Sequence, residues 1–195
     1  MFYKQPMKTG KLIIISAPSG KGKSTIINRI IDDEELKLEF SVSATTRPPR
    51  EGEENGVEYY FMTPEQFRQE IEDDAFAEYQ EVYEGRYYGT LKREIERINA
   101  NGKNVILDLD VLGGINVKKL YGDHALSIFI APPSLAILRN RLVSRATDSM
   151  EDINNRLNKA EFEIEHSVYF DKQVINDVLD DAVEQVRKLI YDFVN

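Results

Sequence analysis

The residues with the clearest chemical potential lie in a short segment rich in glycine and lysine near the N-terminus. Gly22, Lys23 and Ser24 match the end of the pattern G-x-x-x-x-G-K-[ST], and Ala17 stands where the first glycine belongs. In this pattern backbone N–H groups surround a phosphate, the lysine reaches the β- and γ-phosphates, and the hydroxyl ligates Mg²⁺. We therefore expect a nucleoside triphosphate to contact the residues Ala17, Pro18, Ser19, Gly20, Lys21, Gly22, Lys23, Ser24 and Thr25.

Two local elements must position this segment. The apolar, β-branched run 12–15 predicts a buried strand, and residues 24–31 have the character of a helix. A strand, a loop and a helix in succession bring inward-pointing N–H groups and the positive end of the helix dipole to one place. This succession favours a phosphate site over the alternative, a Gly/Lys-rich surface turn.

The rest of the chain alternates between strand-like and helix-like segments. The run NVILDLD carries Asp108 and Asp110 at its C-terminal end, where ligands bind in open α/β sheets. Such alternation predicts an α/β fold with a mostly parallel sheet flanked by helices. Within a single domain, 1–195, we expect a core formed by 1–40, 90–140 and 170–195, with a small β-rich insertion at 41–89.

Two details of this prediction concern helix boundaries. We expect Thr90 to cap a helix that ends at Asn101 and Gly102. We also expect Gly113 and Gly114 to form a turn before a short helix over 115–121.

Composition and net charge argue against several classes of function. The chain has 195 residues, no cysteine and a net charge of −9, with no apolar run of the roughly 20 residues that cross a bilayer. These features exclude disulfides and argue against broad binding to nucleic acid or anionic lipid, and we expect a cytoplasmic protein without a membrane partner. An anionic ligand must then be held by local cations, and arginines cluster at 47–50 and 139–145.

Segments spread over almost the whole chain, about residues 11–194, together resemble the guanylate kinase family. They are APSGKGKST, SVSATTRPPREGE, GVEYYF, FAEYQEVYEGRYYGT, ILDLD, IAPPS and VIND. The resemblance implies a P-loop nucleoside monophosphate kinase that transfers the γ-phosphoryl group of ATP to GMP or dGMP, with Mg²⁺, in purine metabolism. The acceptor phosphate, with a second pKa of ~6, is mostly a dianion at pH 7, so no general base is required.

The resemblance also implies a GMP site, formed by Ser43, Arg47, Arg50, Tyr59, Glu78, Tyr88, Thr90 and Asp110. Guanidinium groups suit a phosphate dianion, and an ionised Glu78 would accept the two donors of guanine, N1–H and the 2-amino group. Read from spacing alone, Glu78 is a solvated residue in an acidic stretch. Without the resemblance, Arg47 and Arg50 would likewise be read as part of a charged surface loop, and Tyr59 and Tyr88 as packing residues.

Catalysis in the family is alignment and charge neutralisation, and the resemblance assigns that charge to Lys23, Arg141, Arg145 and Arg156. Residues 141–156 would form a lid, and Asp108 would act on Mg²⁺ through water. Asn176 matches the adenine side of the ATP site, with a plain turn as the alternative. Arg139 has no counterpart, and Leu112 departs from the glutamine of many relatives.

Two rival functions remain open at this stage. One is a non-catalytic, guanylate-kinase-like interaction module, which the retained phosphate-binding segment and arginines disfavour. The other is a related kinase of a ribose phosphate, which the complete set of GMP-site residues disfavours. The sequence leaves the oligomeric state open between a monomer and a homodimer.

Overall fold

The computed structural model of the protein describes residues 10–18, 22–143 and 150–195. Its strands are β1 Leu12–Ser16, β2 Leu38–Phe40, β3 Ala44–Thr45, β4 Tyr60–Phe61, β5 Phe76–Tyr83, β6 Arg86–Leu91, β7 Asn104–Asp108, β8 Ala125–Ala131 and β9 Lys172–Ile175. Its helices are α1 Lys23–Ile30, α2 Pro64–Glu72, α3 Lys92–Ala100, α4 Val111–Tyr121, α5 Leu135–Val143, α6 Met150–His166 and α7 Leu179–Val194. Across these described ranges, every helix is too short or too polar to span a bilayer.

The central sheet has the order β2-β7-β1-β8-β9, and all its pairs are parallel. β1 is buried along its whole length, because both faces of the sheet are covered by helices. Ile13 and Ile15 belong to a core shared with α1 and α7, whereas Leu12 and Ile14 belong to a second core on the other face. The predicted fold class, α/β with a mostly parallel sheet flanked by helices, is confirmed.

A second, four-stranded sheet with the order β4-β3-β6-β5 lies between the second and seventh strands in the sequence. Its core is aromatic: the ring of Phe67 stacks on Phe76 at 4.4 Å and on Tyr87 at 5.4 Å between centroids. Helix α2 is capped by Thr63, whose side chain accepts a hydrogen bond from the backbone N of Gln66. This sheet occupies the segment where the sequence indicates a β-rich insertion.

Both predicted helix starts are wrong, whereas both predicted ends are confirmed, since α3 ends at Ala100 with Asn101 as its C-cap and α4 ends at Tyr121. Thr90 lies fully buried in β6, and the N-cap of α3 is Leu91. Gly113 and Gly114 lie in the first turn of α4, not in a turn that precedes it. A Cβ on Gly114 would come within 2.8 Å of the Phe170 ring, so this glycine permits close packing of the helix.

The segment predicted as a lid, 141–156, covers the end of α5, the junction to α6 and the first two turns of α6. Helices α5 and α6 share a small apolar core of Leu138, Leu142, Ile153 and Ala160. The junction 144–149, which includes Arg145, lies outside the described residues. The assignment of 141–156 as a lid therefore stays a prediction.

Candidate functional site

The phosphate-binding segment follows the first strand, as its sequence predicts. Gly22 is the N-cap of α1 and has φ 102°, a backbone conformation that residues with a Cβ rarely adopt. A Cβ at this position would also lie 2.1 Å from Nδ2 of Asn176. Asn176 is thus adjacent to the segment, and its assignment to the adenine side of the ATP site stays a prediction. Ser19, Gly20 and Lys21 lie outside the described residues.

Lys23 lies where the first and seventh strands end side by side. Its ammonium group forms an ion pair with Asp108 and donates a hydrogen bond of 3.3 Å to the carbonyl of Leu109. The arrangement follows from the parallel pairing of β1 with β7, which sets Ile15 opposite Asp108. The lysine and a carboxylate are therefore brought together by the sheet.

The candidate oxygen ligands for Mg²⁺ are Asp108 of this pair and the nearby Ser24. Ser24 and Asp108 line one cavity of about 260 Å³, together with Ile27, Asn28, Ile31 and Phe40. Among the described residues no group of three or more His, Cys, Asp or Glu could hold a metal. Two protein oxygens fit Mg²⁺, which keeps several waters and takes other ligands from phosphate groups.

Asp110 lies on the same side of the chain as Asp108. Alternate residues of an extended segment share a face, and Leu109 between them is buried in the core. Asp110 caps α4 by accepting a hydrogen bond of 2.8 Å from the backbone N of Gly113. The two aspartates therefore lie where β7 ends, Asp108 beside Lys23 and Asp110 at the start of α4.

Glu78 meets this face from the second sheet. One carboxylate oxygen accepts a hydrogen bond of 2.8 Å from the hydroxyl of Thr90, and the other lies against Gly113, where an added Cβ would approach it to 3.1 Å. Burial raises the pKa of Glu78 to about 7, and the charge of Asp110 adds to the rise while the Thr90 hydrogen bond opposes it. The structure thus brings together Glu78, Thr90 and Asp110.

Arg47 is buried, and its guanidinium group pairs with Glu53 through two hydrogen bonds of 2.8 and 2.9 Å. The ring of Tyr59 lies 5.3 Å from the guanidinium carbon, and Tyr88 contacts Tyr59 edge-on at 6.0 Å. The pKa of Arg47 is raised by Glu53 and also by Tyr88. Arg50 is exposed on the same loop. Arg47, Tyr59 and Tyr88, which are predicted to bind a phosphate, therefore lie together, and the carboxylate of Glu53 is part of the same cluster.

An electrostatic interaction connects the residues around Arg47 with those around Lys23. Burial raises the pKa of Tyr59, and the charge of Asp108 contributes to that rise. Asp108 is also the partner of Lys23, so the tyrosine beside Arg47 lies within the field of the residues around Lys23. Ser43 is half-buried next to β3, and its carbonyl accepts a hydrogen bond from the backbone N of Tyr60.

The predicted catalytic arginines are only partly described. Arg156 is half-buried in α6. Arg141 lies in α5, and its side chain is outside the described part of the chain, as is the whole of Arg145. Their roles stay predictions.

Sequence reasoning missed Glu53 and Gly113. Glu53 follows the two arginines in the loop TTRPPREGE, and an acidic residue beside arginines that bind an anion is a signal that could have drawn attention to it. Gly113 carries no comparable signal, because its closeness to Glu78 depends on where α4 begins.

Comparisons with known proteins agree with this geometry. A family model described as guanylate kinase matches residues 9–193. A guanylate kinase of Porphyromonas gingivalis is 58% identical over 184 residues, 94% of this chain and 98% of the relative. One of Bacteroides thetaiotaomicron is 54% identical over 187 residues, 96% of this chain and 91% of the relative. The crystal structure of guanylate kinase from Anaplasma phagocytophilum has a TM-score of 0.72 at 29% identity, covering 95% of this chain and 86% of that one.

Proposed function

The chain belongs to the guanylate kinase family and is an ATP:GMP phosphotransferase, and we propose that its own residues perform this reaction as follows. ATP binds along residues 17–25 and beside Asn176, and GMP binds between the second sheet and the start of α4. The observation that supports this arrangement is the shared face of Asp108 and Asp110. Asp108 contacts Lys23 on the ATP side, and Asp110 raises the pKa of Glu78 on the GMP side.

The acceptor phosphate is held by Arg47, Arg50, Tyr59 and Tyr88. A guanidinium group donates two parallel hydrogen bonds to phosphate oxygens, and tyrosine hydroxyls complete the shell. These donors place the acceptor oxygen in line with the γ-phosphate, which is the main requirement of phosphoryl transfer.

The guanine base is read by Glu78, with Ser43, Thr90 and Asp110 around it. An ionised Glu78 accepts hydrogen bonds from N1–H and the 2-amino group, while Thr90 holds the carboxylate in place. Adenine has an acceptor at N1 and no 2-amino group, so AMP would leave a buried carboxylate unpaired. Sites of this kind discriminate by about 10⁴ or more. The 2′ position of the ribose has no assigned partner, so dGMP should also react.

Charge on the transferring group is neutralised by Lys23 and by the arginines Arg141, Arg145 and Arg156. Ser24, and Asp108 through water, would hold Mg²⁺, which when bound would supply further positive charge near the phosphate oxygens. Closure of residues 141–156 would exclude water and protect ATP from hydrolysis.

The test is an ADP-release assay with GMP, dGMP, AMP, CMP and UMP as acceptors. We expect turnover with GMP and dGMP, and a rate with AMP lower by about 10⁴. Glu84→Gln, at the exposed turn between β5 and β6, is the matched control for Glu78→Gln and should behave as the parent protein does. Equal turnover with AMP would contradict the role of Glu78.

A further inference from the structure

The hydrogen bonds of Arg47 are unevenly distributed over its guanidinium group. Nη1 donates to the Pro48 carbonyl at 2.9 Å and to one oxygen of Glu53 at 2.9 Å, and Nη2 donates to the other oxygen at 2.8 Å. A guanidinium group has five N–H donors in a fixed plane. Three are used in these contacts with Pro48 and Glu53. The other two, Nε–H and the second hydrogen of Nη2, lie together on one edge and take no part in the contact with Glu53, and Tyr88 also acts on the group by raising its pKa.

Glu53 is itself held in place by its own loop. The backbone N of Glu53 donates to the Arg50 carbonyl at 3.1 Å, closing a four-residue turn, and Gly52 in that turn has φ 85°. The Arg50 backbone N donates back to the Glu53 carboxylate at 2.7 Å. The pKa of Glu53 is lowered by Arg47 first and by the Arg50 backbone second, so the carboxylate stays ionised at neutral pH.

The surroundings of Arg47 restrict how it can move. The rings of Tyr59 and Phe61 lie 5.3 and 5.7 Å from its guanidinium carbon. The side chain is only 10% exposed, and that of Glu53 only 18%. A buried cation packed on two rings and fixed at one edge presents its other edge in a single direction.

We propose that Glu53 is a positioning residue that acts through Arg47. It fixes the Nη1–Nη2 edge of the guanidinium group and leaves the Nε–Nη2 edge to form the two-bond contact with the GMP phosphate. This inference rests on the proposed function, in which Arg47 binds that phosphate. The opposite arrangement, in which Glu53 occupies the phosphate position and must leave, conflicts with the turn that anchors its carboxylate from the Arg50 side.

The test is Glu53→Gln, with Glu51→Gln as the matched control, since Glu51 is exposed in the same turn. A glutamine amide turns a donor towards a guanidinium group that also donates, so the edge is no longer fixed. We expect the KM for GMP to rise about tenfold, with kcat and the KM for ATP within twofold of the parent values. The inhibition constant of guanosine, which has no phosphate, should not change.

A double-mutant cycle separates this inference from the function on which it depends. In an Arg47→Met background, Glu53→Gln should add less than a twofold further rise in the KM for GMP. If Arg47→Met alone leaves that KM unchanged, the phosphate assignment fails. If Arg47→Met raises the KM for GMP but Glu53→Gln leaves it unchanged or lowers it, only the positioning role of Glu53 is overturned. Weaker guanosine inhibition in Glu53→Gln would indicate a general structural effect and would also overturn the positioning role.

Glu53→Asp, which keeps the charge on a shorter side chain, covers the case in which Glu53→Gln folds poorly. We expect a KM between those of the parent and Glu53→Gln, and a KM equal to the parent's would count against the fixed edge.

Discussion

Replacing Glu78 by glutamine should stabilise the folded protein at pH 8 while it removes activity towards GMP. The pKa of Glu78 rises from 4.5 to about 7 because the carboxylate is buried. Between these values the folded protein binds a proton that the unfolded chain has released, so the stability from this group falls as the pH rises from 4.5 to 7. Above pH 7 the ionised group lowers the free energy of unfolding by about 3 kcal/mol relative to a neutral one.

Glutamine has nearly the same shape and no charge at any pH. Glu78→Gln should therefore raise the melting temperature by about 6 to 12 °C at pH 8 and by far less at pH 5, where the parent residue is mostly protonated. The measurement is thermal unfolding of the parent, of Glu78→Gln and of the Glu84→Gln control at both pH values. A variant that is less stable than the parent at pH 8, or equally stabilised at both pH values, would refute the reasoning.

The same ionisation should appear in ligand binding. Only the ionised carboxylate accepts both guanine donors, and with a pKa of about 7 roughly a tenth of it is ionised at pH 6. Guanosine is the suitable probe, because the phosphate of GMP titrates in the same range, at ~6. Its inhibition constant should rise severalfold, up to about tenfold, from pH 8 to pH 6, and this dependence should be absent in Glu78→Gln. A constant that does not change with pH in the parent would contradict the raised pKa.

Three further substitutions test other parts of the structure. Lys23→Ala should reduce turnover by a factor on the order of 10³ while calorimetry shows GMP binding within twofold of the parent; loss of both would indicate misfolding. Gly22→Ala should raise the KM for ATP and should destabilise the protein more than Gly85→Ala does. Both glycines have positive φ, but only Gly22 lies against Asn176. Equal losses of stability in urea unfolding would contradict this contact. Phe67→Ala should lower the free energy of unfolding by about 3 to 5 kcal/mol, against less than about 1 kcal/mol for the partly exposed Phe162→Ala.

The sequence predicts the three inner strands of the central sheet well, because they contain apolar runs that are buried on both faces, unlike the edge strands β2 and β9. Residues 12–15 and 125–131 are of this kind, and each is a strand of the structure. The start of α4 was not predictable in the same way. Glycine is a poor helix former, and only the tertiary packing of Gly114 against Phe170 explains why it lies inside a helix.

The candidate site also has one part that the sequence predicts and another part that it does not. The phosphate-binding segment was predictable because its chemistry lies in consecutive residues, which local pattern alone brings together. Glu78 and Arg47 could be interpreted only through the resemblance, since their partners are remote or depend on loop geometry. Thr90 meets Glu78 by cross-strand pairing, and Glu53 meets Arg47 through a turn whose glycine has positive φ. Periodicity carries no information about either contact.

The register of one short segment connects these parts. Leu109 donates its backbone N–H to Ile15 at 3.2 Å, which continues the ladder between β1 and β7 for one residue past Asp108. Because alternate side chains share a face, this bond directs Leu109 into the core and turns both aspartates away from that core. A slip of one residue would bury two carboxylates and expose the leucine, which is strongly unfavourable. The hydrophobic core therefore fixes Asp108 beside Lys23 and Asp110 beside Glu78, so the force that folds the sheet also positions the two groups of candidate site residues.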